Sequence, residues 1–311
     1  MSGIGVVVNP LAGRNQRVGD RANRLGDVLG ASGWVRETRS LTHLADVAVE
    51  CRARAVDLLG VCGGDGTMAR TLSALVHAYG SDALPAIVPL RGGTMNTVAR
   101  AMGCPAWVPE RMLAEVVATY RSGQPLDATE HQLVEVNRRH YGFMLGAGAP
   151  VEFLRLYYDQ PQRGAGRAAR VLLVLIGSVL RGGEFARRLF EPMAAAVCCD
   201  GERVPFDAFT VIYASTIEDI GLGFRPTYRA RERRGHMHVF AGPIGAREFV
   251  RCLPAIRRGR PTRSPNVYDA LARTIDVEFR QPTLYMVDGD IMDPTTRLAV
   301  EPGPVVRVIR R

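Results

Sequence analysis

Asp65 stands inside Gly63-Gly64-Asp65-Gly66-Thr67, where three glycines and one carboxylate crowd into four residues ahead of a hydroxyl. A glycine turn that opens a helix lets backbone N–H groups close on an anion with no Cβ in the way, and the helix dipole adds partial positive charge there. A carboxylate in the same turn makes sense where a metal ion, a sugar hydroxyl or a protonatable substrate group is also handled. A second turn, Arg91-Gly92-Gly93-Thr94-Met95-Asn96-Thr97, has the same character, and Asn9-Pro10-Leu11-Ala12-Gly13 is a third polar turn. Far downstream, Asp288-Gly289-Asp290 sets two carboxylates around a glycine. An isolated Gly-Gly-x-Gly is as often a plain strand–helix connection as an anion site, so the elements that carry these turns matter.

Each turn follows an apolar run. Residues 4–9 are a β-branched strand, 34–39 a second strand with Thr38 near its end, 56–61 a third and 85–90 a fourth. Helical stretches lie between them, to about Leu29, over 44–53, after Thr67 and to about Met102, with one more at 105–121. Strands alternating with helices predict a parallel, doubly wound α/β sheet, and in such sheets ligands bind at the C-terminal ends of the strands. Asn9, Thr38, 63–67 and 92–96 all fall at that edge, and four polar or glycine turns on one edge point to a ligand that bears phosphate.

The character changes near Gly123-Gln124-Pro125, which puts a domain boundary at 126 and divides the chain into 1–126 and 127–311. Downstream, short strand-like segments recur at 132–136, 141–145, 194–199, 208–214, 236–241, 274–279 and 284–287, the pattern of an antiparallel sandwich or barrel. Asp200-Gly201 and Asp288-Gly289 each read as a hairpin turn. Residues 164–188 interrupt with helical spacing: Val171, Leu172, Leu175, Val179 and Leu180 form an apolar stripe flanked by Arg163, Arg167, Arg170, Arg181, Arg187 and Arg188. That helix either lies on an anionic membrane surface or caps an acyl-chain pocket, or it packs on the sheet with a solvated arginine face.

The chain has 311 residues and a formal charge of +9. All forty basic residues are arginine, which excludes a Walker lysine, a Schiff-base lysine and a lysine base. The positive charge favours anionic partners. No basic-aromatic nucleic-acid module is present, so no nucleic-acid partner is expected. No apolar run approaches the ~20 residues of a membrane span. With no signal-peptide pattern at the N-terminus, the expected location is cytoplasmic, with peripheral contact at the inner membrane surface. The six cysteines form no C-x-x-C pair, as suits a reducing compartment. His236 and His238 could share a strand face, but with no third ligand apparent they read as surface or core residues. Exposed sheet edges in the second half would permit a homo-oligomer.

The stretches VVVNPLAG (6–13), GGDGT (63–67), GGTMNTVAR (92–100) and VDGD (287–290), in this order and over essentially the whole chain, resemble the diacylglycerol kinase catalytic-domain family, which includes bacterial lipid kinases and sphingosine kinase relatives. GGDGT alone is shared with NAD kinases and phosphofructo-type kinases; the N-P-x-x-G strand end and the late D-G-acid make the match specific. The resemblance implies a nucleotide-binding α/β domain followed by a β-sandwich, and transfer of the γ-phosphate of ATP to a lipid alcohol with Mg²⁺. By position, Asn9, Thr38, Gly63, Gly64, Asp65, Gly66, Thr67, Gly93, Thr94 and Asn96 would line the ATP site. Asp65 and Asp288 would hold the metal–phosphate assembly, and Asp290 would be the catalytic carboxylate. Three departures stand out. Asp290 replaces the family's usual Glu. Asn96-Thr97 stands where many relatives have Asn-Asp. Arg231-Glu232-Arg233-Arg234-Gly235 replaces an acidic pair that binds a structural Mg²⁺ in many bacterial members. Two alternatives accompany the lipid kinase: a nucleotide-responsive lipid-binding protein with weak or lost catalysis, and an NAD kinase, against which the missing Asn-Glu pair counts.

Overall fold

A computed structural model describes residues 3–158, 165–181 and 183–311. The expected helix start at Arg163 and Gly164 lies outside the described residues, as do the side chains of Arg167 and Leu180. The chain divides into two compact units. One runs to Leu133 and takes back Pro304–Arg311, and the other is Val134–Gly303.

The first unit is a doubly wound α/β layer. Its strands are β1 (Ile4–Val8), β2 (Gly33–Glu37), β3 (Leu58–Gly63) and β4 (Ala86–Arg91). They run parallel in the order β4-β3-β1-β2. The helices are α1 (Gly13–Val18), α2 (Arg21–Leu29), α3 (Leu41–Ala53), α4 (Asp65–Tyr79), α5 (Thr97–Ala101) and α6 (Pro109–Ser122). All of β1 and β3 is buried, as expected of central strands covered on both faces, while β2 is half-buried throughout, as an edge strand. Ile4, Val6 and Val8 of β1, with Leu58 and Cys62 of β3 and Val88 and Leu90 of β4, pack against Leu25 and Leu29 of α2 and Leu113 and Val116 of α6. Helix α4 packs on β3 and against α3, burying Leu72 and Leu75 completely. The single helix expected to about Leu29 is two, α1 and α2, because Gly19 at φ 74° ends the first. The C-terminal residues complete this unit. Val308 pairs in parallel with Ile87, and the Arg310 guanidinium donates to the Asp127 carboxylate at 2.7 Å.

The second unit is antiparallel and sandwich-like. Its elements are β5 (Ala128–Val136), β6 (His140–Gly142), β7 (Met144–Gly148), α7 (Ala149–Tyr158), α8 (Ala165–Arg181), α9 (Glu184–Leu189), β8 (Met193–Cys199), β9 (Glu202–Arg203), β10 (Ala208–Phe209), β11 (Val211–Ser215), β12 (Met237–Gly242), α10 (Ala246–Arg257), β13 (Tyr268–Ala272), β14 (Ile275–Val287) and β15 (Asp290–Ile309), of which β5 up to Leu133 and β15 from Pro304 belong to the first unit. One sheet runs β13-β12-β11-β7-β14. The thirteen-residue β14 pairs with β15 on one side and serves two neighbours on the other: Ile275–Phe279 pairs with β8, and Tyr285–Val287 pairs with β7. The two strands expected at 274–279 and 284–287 are therefore halves of one strand. Its register shifts between Glu278 and Thr283, where Pro282 has no N–H to continue the ladder. Asp200 and Gly201 have φ of 51° and 83°, and Asp288 and Gly289 have 52° and 96°. Two successive positive φ values are what a two-residue hairpin with matching twist requires.

Glu248, in the first turn of α10, accepts hydrogen bonds from the Ser264 hydroxyl and the Asn266 amide, which hold its carboxyl below the usual glutamate range. A depressed folded pKa gives a stabilisation complete above the unfolded value of about 4.3 and lost as pH falls through the folded one. Glu248→Gln should therefore lower the denaturant midpoint at pH 7, with the gap to the parent chain narrowing as the melts are taken to acid pH.

Candidate active site

The strand register aligns four chain ends. Val8 pairs with both Glu37 and Cys62, and Gly63 pairs with Arg91. Asn9, Thr38, Gly64 and Gly92 are thus the next residues on one edge of the sheet. The Thr38 N–H donates to the Val8 carbonyl at 2.9 Å, and the Asn9 N–H to the Cys62 carbonyl at 3.0 Å. Thr38 is buried.

Three of these turns mesh through their glycines. The Asn9 amide donates to the Thr67 hydroxyl at 2.9 Å, joining the first turn to the second. A Cβ on Gly63 would lie 2.4 Å from the Thr67 Cβ, so only glycine admits the threonine there. A Cβ on Gly93 would lie 2.3 Å from the Gly64 Cα, so the second and third turns touch backbone to backbone. The Gly93 N–H also donates to the Gly63 carbonyl at 2.8 Å. A Cβ on Gly13 would meet the Thr94 methyl at 2.6 Å. Asn96, left-handed at φ 50°, closes the third turn on itself: its amide donates to the Gly93 carbonyl at 2.8 Å and its carbonyl oxygen accepts from the Gly93 N–H at 3.1 Å.

Asp65 fastens this assembly. Its two carboxylate oxygens accept from the backbone N–H groups of Thr97 and Val98, at 3.0 and 2.9 Å. The first residue of α4 therefore caps the N-terminus of α5, which has no cap of its own. Burial raises the Asp65 pKa, opposed by these two bonds and by Arg100. Helix α4 itself begins on Gly64 with no side-chain cap. The N–H groups of Asp65, Gly66 and Thr67 have no carbonyl one turn back within the helix, so this is the open anion-attracting end of a fifteen-residue helix.

Two kinds of residue at this edge were given no role by the motifs. Asn15 is buried, and its amide donates to the carbonyls of Asn9 at 2.8 Å and Cys62 at 3.0 Å. A Cβ on Gly92 would strike that amide at 2.6 Å. Arginines are the second kind. The Arg91 guanidinium donates to the Cys104 carbonyl at 2.6 Å, while its buried Nε finds no acceptor among the described residues. Burial, with the positive fields of Arg14 and Arg100, holds Arg91 below its ordinary pKa, and Asp65 pulls the other way. Two arginines thus set positive charge against Arg91 with Asp65 opposing them, and an anion would relieve the repulsion. The nearby Cys62 thiol is pushed up to about 12 by burial and is a packing group, not a nucleophile.

The late carboxylates lie in the second unit. Asp288 is buried, and one of its carboxylate oxygens accepts from the N–H groups of Phe143 at 2.8 Å and Met144 at 2.9 Å. A Cβ on Gly142 would lie 2.7 Å from the other oxygen, so that glycine makes room for the carboxylate. Burial and then the Asp288 charge push the Tyr213 hydroxyl well above its usual pKa. Asp290 is half-buried and starts β15, paired with Val287 across the turn. The Tyr158 hydroxyl donates to the Gly289 carbonyl between the two acids, at 2.7 Å. His238 is a core residue, bonded to Asp269 at 2.7 Å and accepting from the Arg229 N–H at 3.2 Å. Among the described residues no three His, Cys, Asp or Glu side chains group as a metal site.

The family model for the diacylglycerol kinase catalytic domain matches residues 3–127, and the model for the YegS C-terminal NAD kinase beta sandwich-like domain matches residues 184–310. Three solved structures from Bacillus anthracis str. Sterne, described as diacylglycerol kinases (two of them provisionally), share the fold. Their TM-scores are 0.72, 0.68 and 0.64, at 17, 18 and 15% identity, and each match covers 100% of this chain and 97% of the other. No curated protein matches the chain. Its α/β unit therefore belongs to the diacylglycerol kinase catalytic-domain family, and its later segment matches the sandwich-like domain of the second model.

Proposed function

We propose that this protein transfers the γ-phosphate of ATP to the hydroxyl of a lipid alcohol, such as a diacylglycerol or a sphingoid or ceramide-type alcohol. The observation that carries the proposal is the uncapped start of α4, set in the three meshed turns with the positive fields of Arg14 and Arg100 falling on Arg91 at the same edge. Such an edge suits the phosphates of a nucleotide, and arginine serves where lysine is absent from the chain. Backbone N–H groups of 64–67 would take the phosphate oxygens, with the 92–96 turn, Thr38 and Asn9 shaping the edge around them.

Asp65 accepts one backbone N–H bond on each oxygen, which assigns it to positioning first. Its remaining lone pairs suit a magnesium ion or that ion's water shell. Magnesium, when bound with the nucleotide, neutralises charge on the transferring phosphoryl group. Asp288 holds the late turn by its bonds to β6–β7 backbone, and Asp290, half-buried and beside it, is the group assigned to take the proton of the acceptor hydroxyl.

The test is radiolabelled ATP incubated with the protein and a total lipid extract, with NAD in a parallel reaction, followed by identification of the labelled product. Label on a lipid supports the proposal. Label on NAD alone overturns it for an NAD kinase. ATP binding by titration calorimetry with no labelled product overturns it for a nucleotide-responsive lipid-binding protein.

A further inference from the structure

Helix α8 shows two different faces. Val171, Leu175 and Val179, one turn apart, are buried where α8 meets α7, α9 and α10. The opposite face carries Gly166, Arg170, Leu173, Val174, Gly177 and Arg181. Leu173 is 68% exposed and Val174 49% exposed. Among the described residues of the second unit, the exposed large apolar side chains are these two and Tyr158, which ends α7. This face thus has an aliphatic centre with an exposed arginine toward each end.

Its charge is of one sign. Residues 165–181 include three arginines and no acid. The acids of the two neighbouring helices are engaged: Glu152 with Arg155 on α7, and Glu184 with Arg188 on α9. Arg170 and Arg181 make no ion pair among the described residues. Helix α10, also packed on α8, adds Arg247, Arg251 and Arg257 against one acid, Glu248, which is bonded to Ser264 and Asn266. We propose that the outward face of α8 docks on an anionic lipid bilayer, with Leu173 and Val174 entering the headgroup boundary and Arg170 and Arg181 meeting lipid phosphates. Helix α7, against which α8 packs, is tied to the late turn through Tyr158 and the Gly289 carbonyl, so the docked element and the Asp288–Asp290 turn are one connected piece of the second unit. The inference stands on the geometry of that unit and does not depend on the kinase reading.

The experiment needs no ATP. The full chain is floated with vesicles of mixed phosphatidylglycerol and phosphatidylcholine, and with phosphatidylcholine alone, at low and high salt. The expected result is binding to the anionic vesicles that is at least about tenfold stronger than to the neutral ones and weakens with salt. Leu173→Ser with Val174→Ser, and separately Arg170→Gln with Arg181→Gln, should each weaken it by at least about tenfold at unchanged Tm, since all four side chains are solvent-exposed. Hydrogen exchange on the vesicle-bound parent chain should slow over α8. Equal binding to both vesicle types, no binding, exchange protection that misses α8, or variants that bind like the parent would each overturn the proposal. So would loss of a dimer in the variants with vesicle binding intact, which would make the face a contact between copies.

Discussion

Asp290→Asn should cut phosphoryl transfer to a lipid alcohol by about 10²–10⁴-fold, the range a general base supplies, while ATP binding measured by calorimetry stays unchanged. Asparagine keeps the size of the side chain and removes its ability to accept a proton. The residue begins β15 directly after a two-residue hairpin whose backbone is defined on both sides, by the Val287–Asp290 pair and by Asp288 bonding Phe143 and Met144. A base placed by backbone this constrained can act although it is one methylene shorter than the glutamate usual in the family. Asp290→Glu then decides how far the shorter acid has been accommodated. If the turn has adjusted to aspartate, glutamate lowers kcat through misplacement. If Asp290→Asn turns over like the parent, the base is another group.

Asp65→Ala should cost about 1–2 kcal/mol of stability, the usual loss for a helix cap, and weaken nucleotide binding at least about tenfold. The substitution leaves the N–H groups of Thr97 and Val98 without their acceptor. It also releases α5, whose Asn96 closes the third turn against Gly93, and Gly93 in turn lies on Gly64. The two effects should move together, because the carboxylate that caps α5 also sets the distance between two of the glycine turns. Denaturant melts and calorimetric ATP titrations of the same preparation check this. A stable variant that has lost nucleotide binding would mean Asp65 touches the nucleotide or its metal directly. A destabilised variant with full affinity would confine it to the cap.

The parallel strands were legible because central strands covered on both faces are continuous apolar runs, and β1, β3 and β4 are such runs. The edge strand β2 was legible from Trp34 and Val35. In the second half the alternation was readable but its pairing was not. Two segments proved to be one strand, β15 was implied only by the Asp288-Gly289 turn, and β13, α7 and α10 passed unnoticed; half-exposed strands such as Tyr268–Ala272 lack a sharp period. The glycine turns were legible as candidates for anion binding.

Why each glycine is there was not legible. Gly63 and Gly93 are excluded from bearing a side chain by Thr67 and by Gly64, contacts made only once the turns are folded together. The arginines differ likewise. Arg91 opens the second glycine turn, but its buried guanidinium and the fields that fall on it are not readable from that position. By itself the sequence determined the order of elements, the sheet edge that bears the polar turns and the residue types able to do phosphoryl chemistry, because local spacing and burial period fix these. Only the tertiary structure decided that Asp65 is a cap for another helix, that Asn15 pins two turns together and that Arg14 and Arg100 act on Arg91. Each of those depends on distances between residues far apart in the chain, which spacing does not encode.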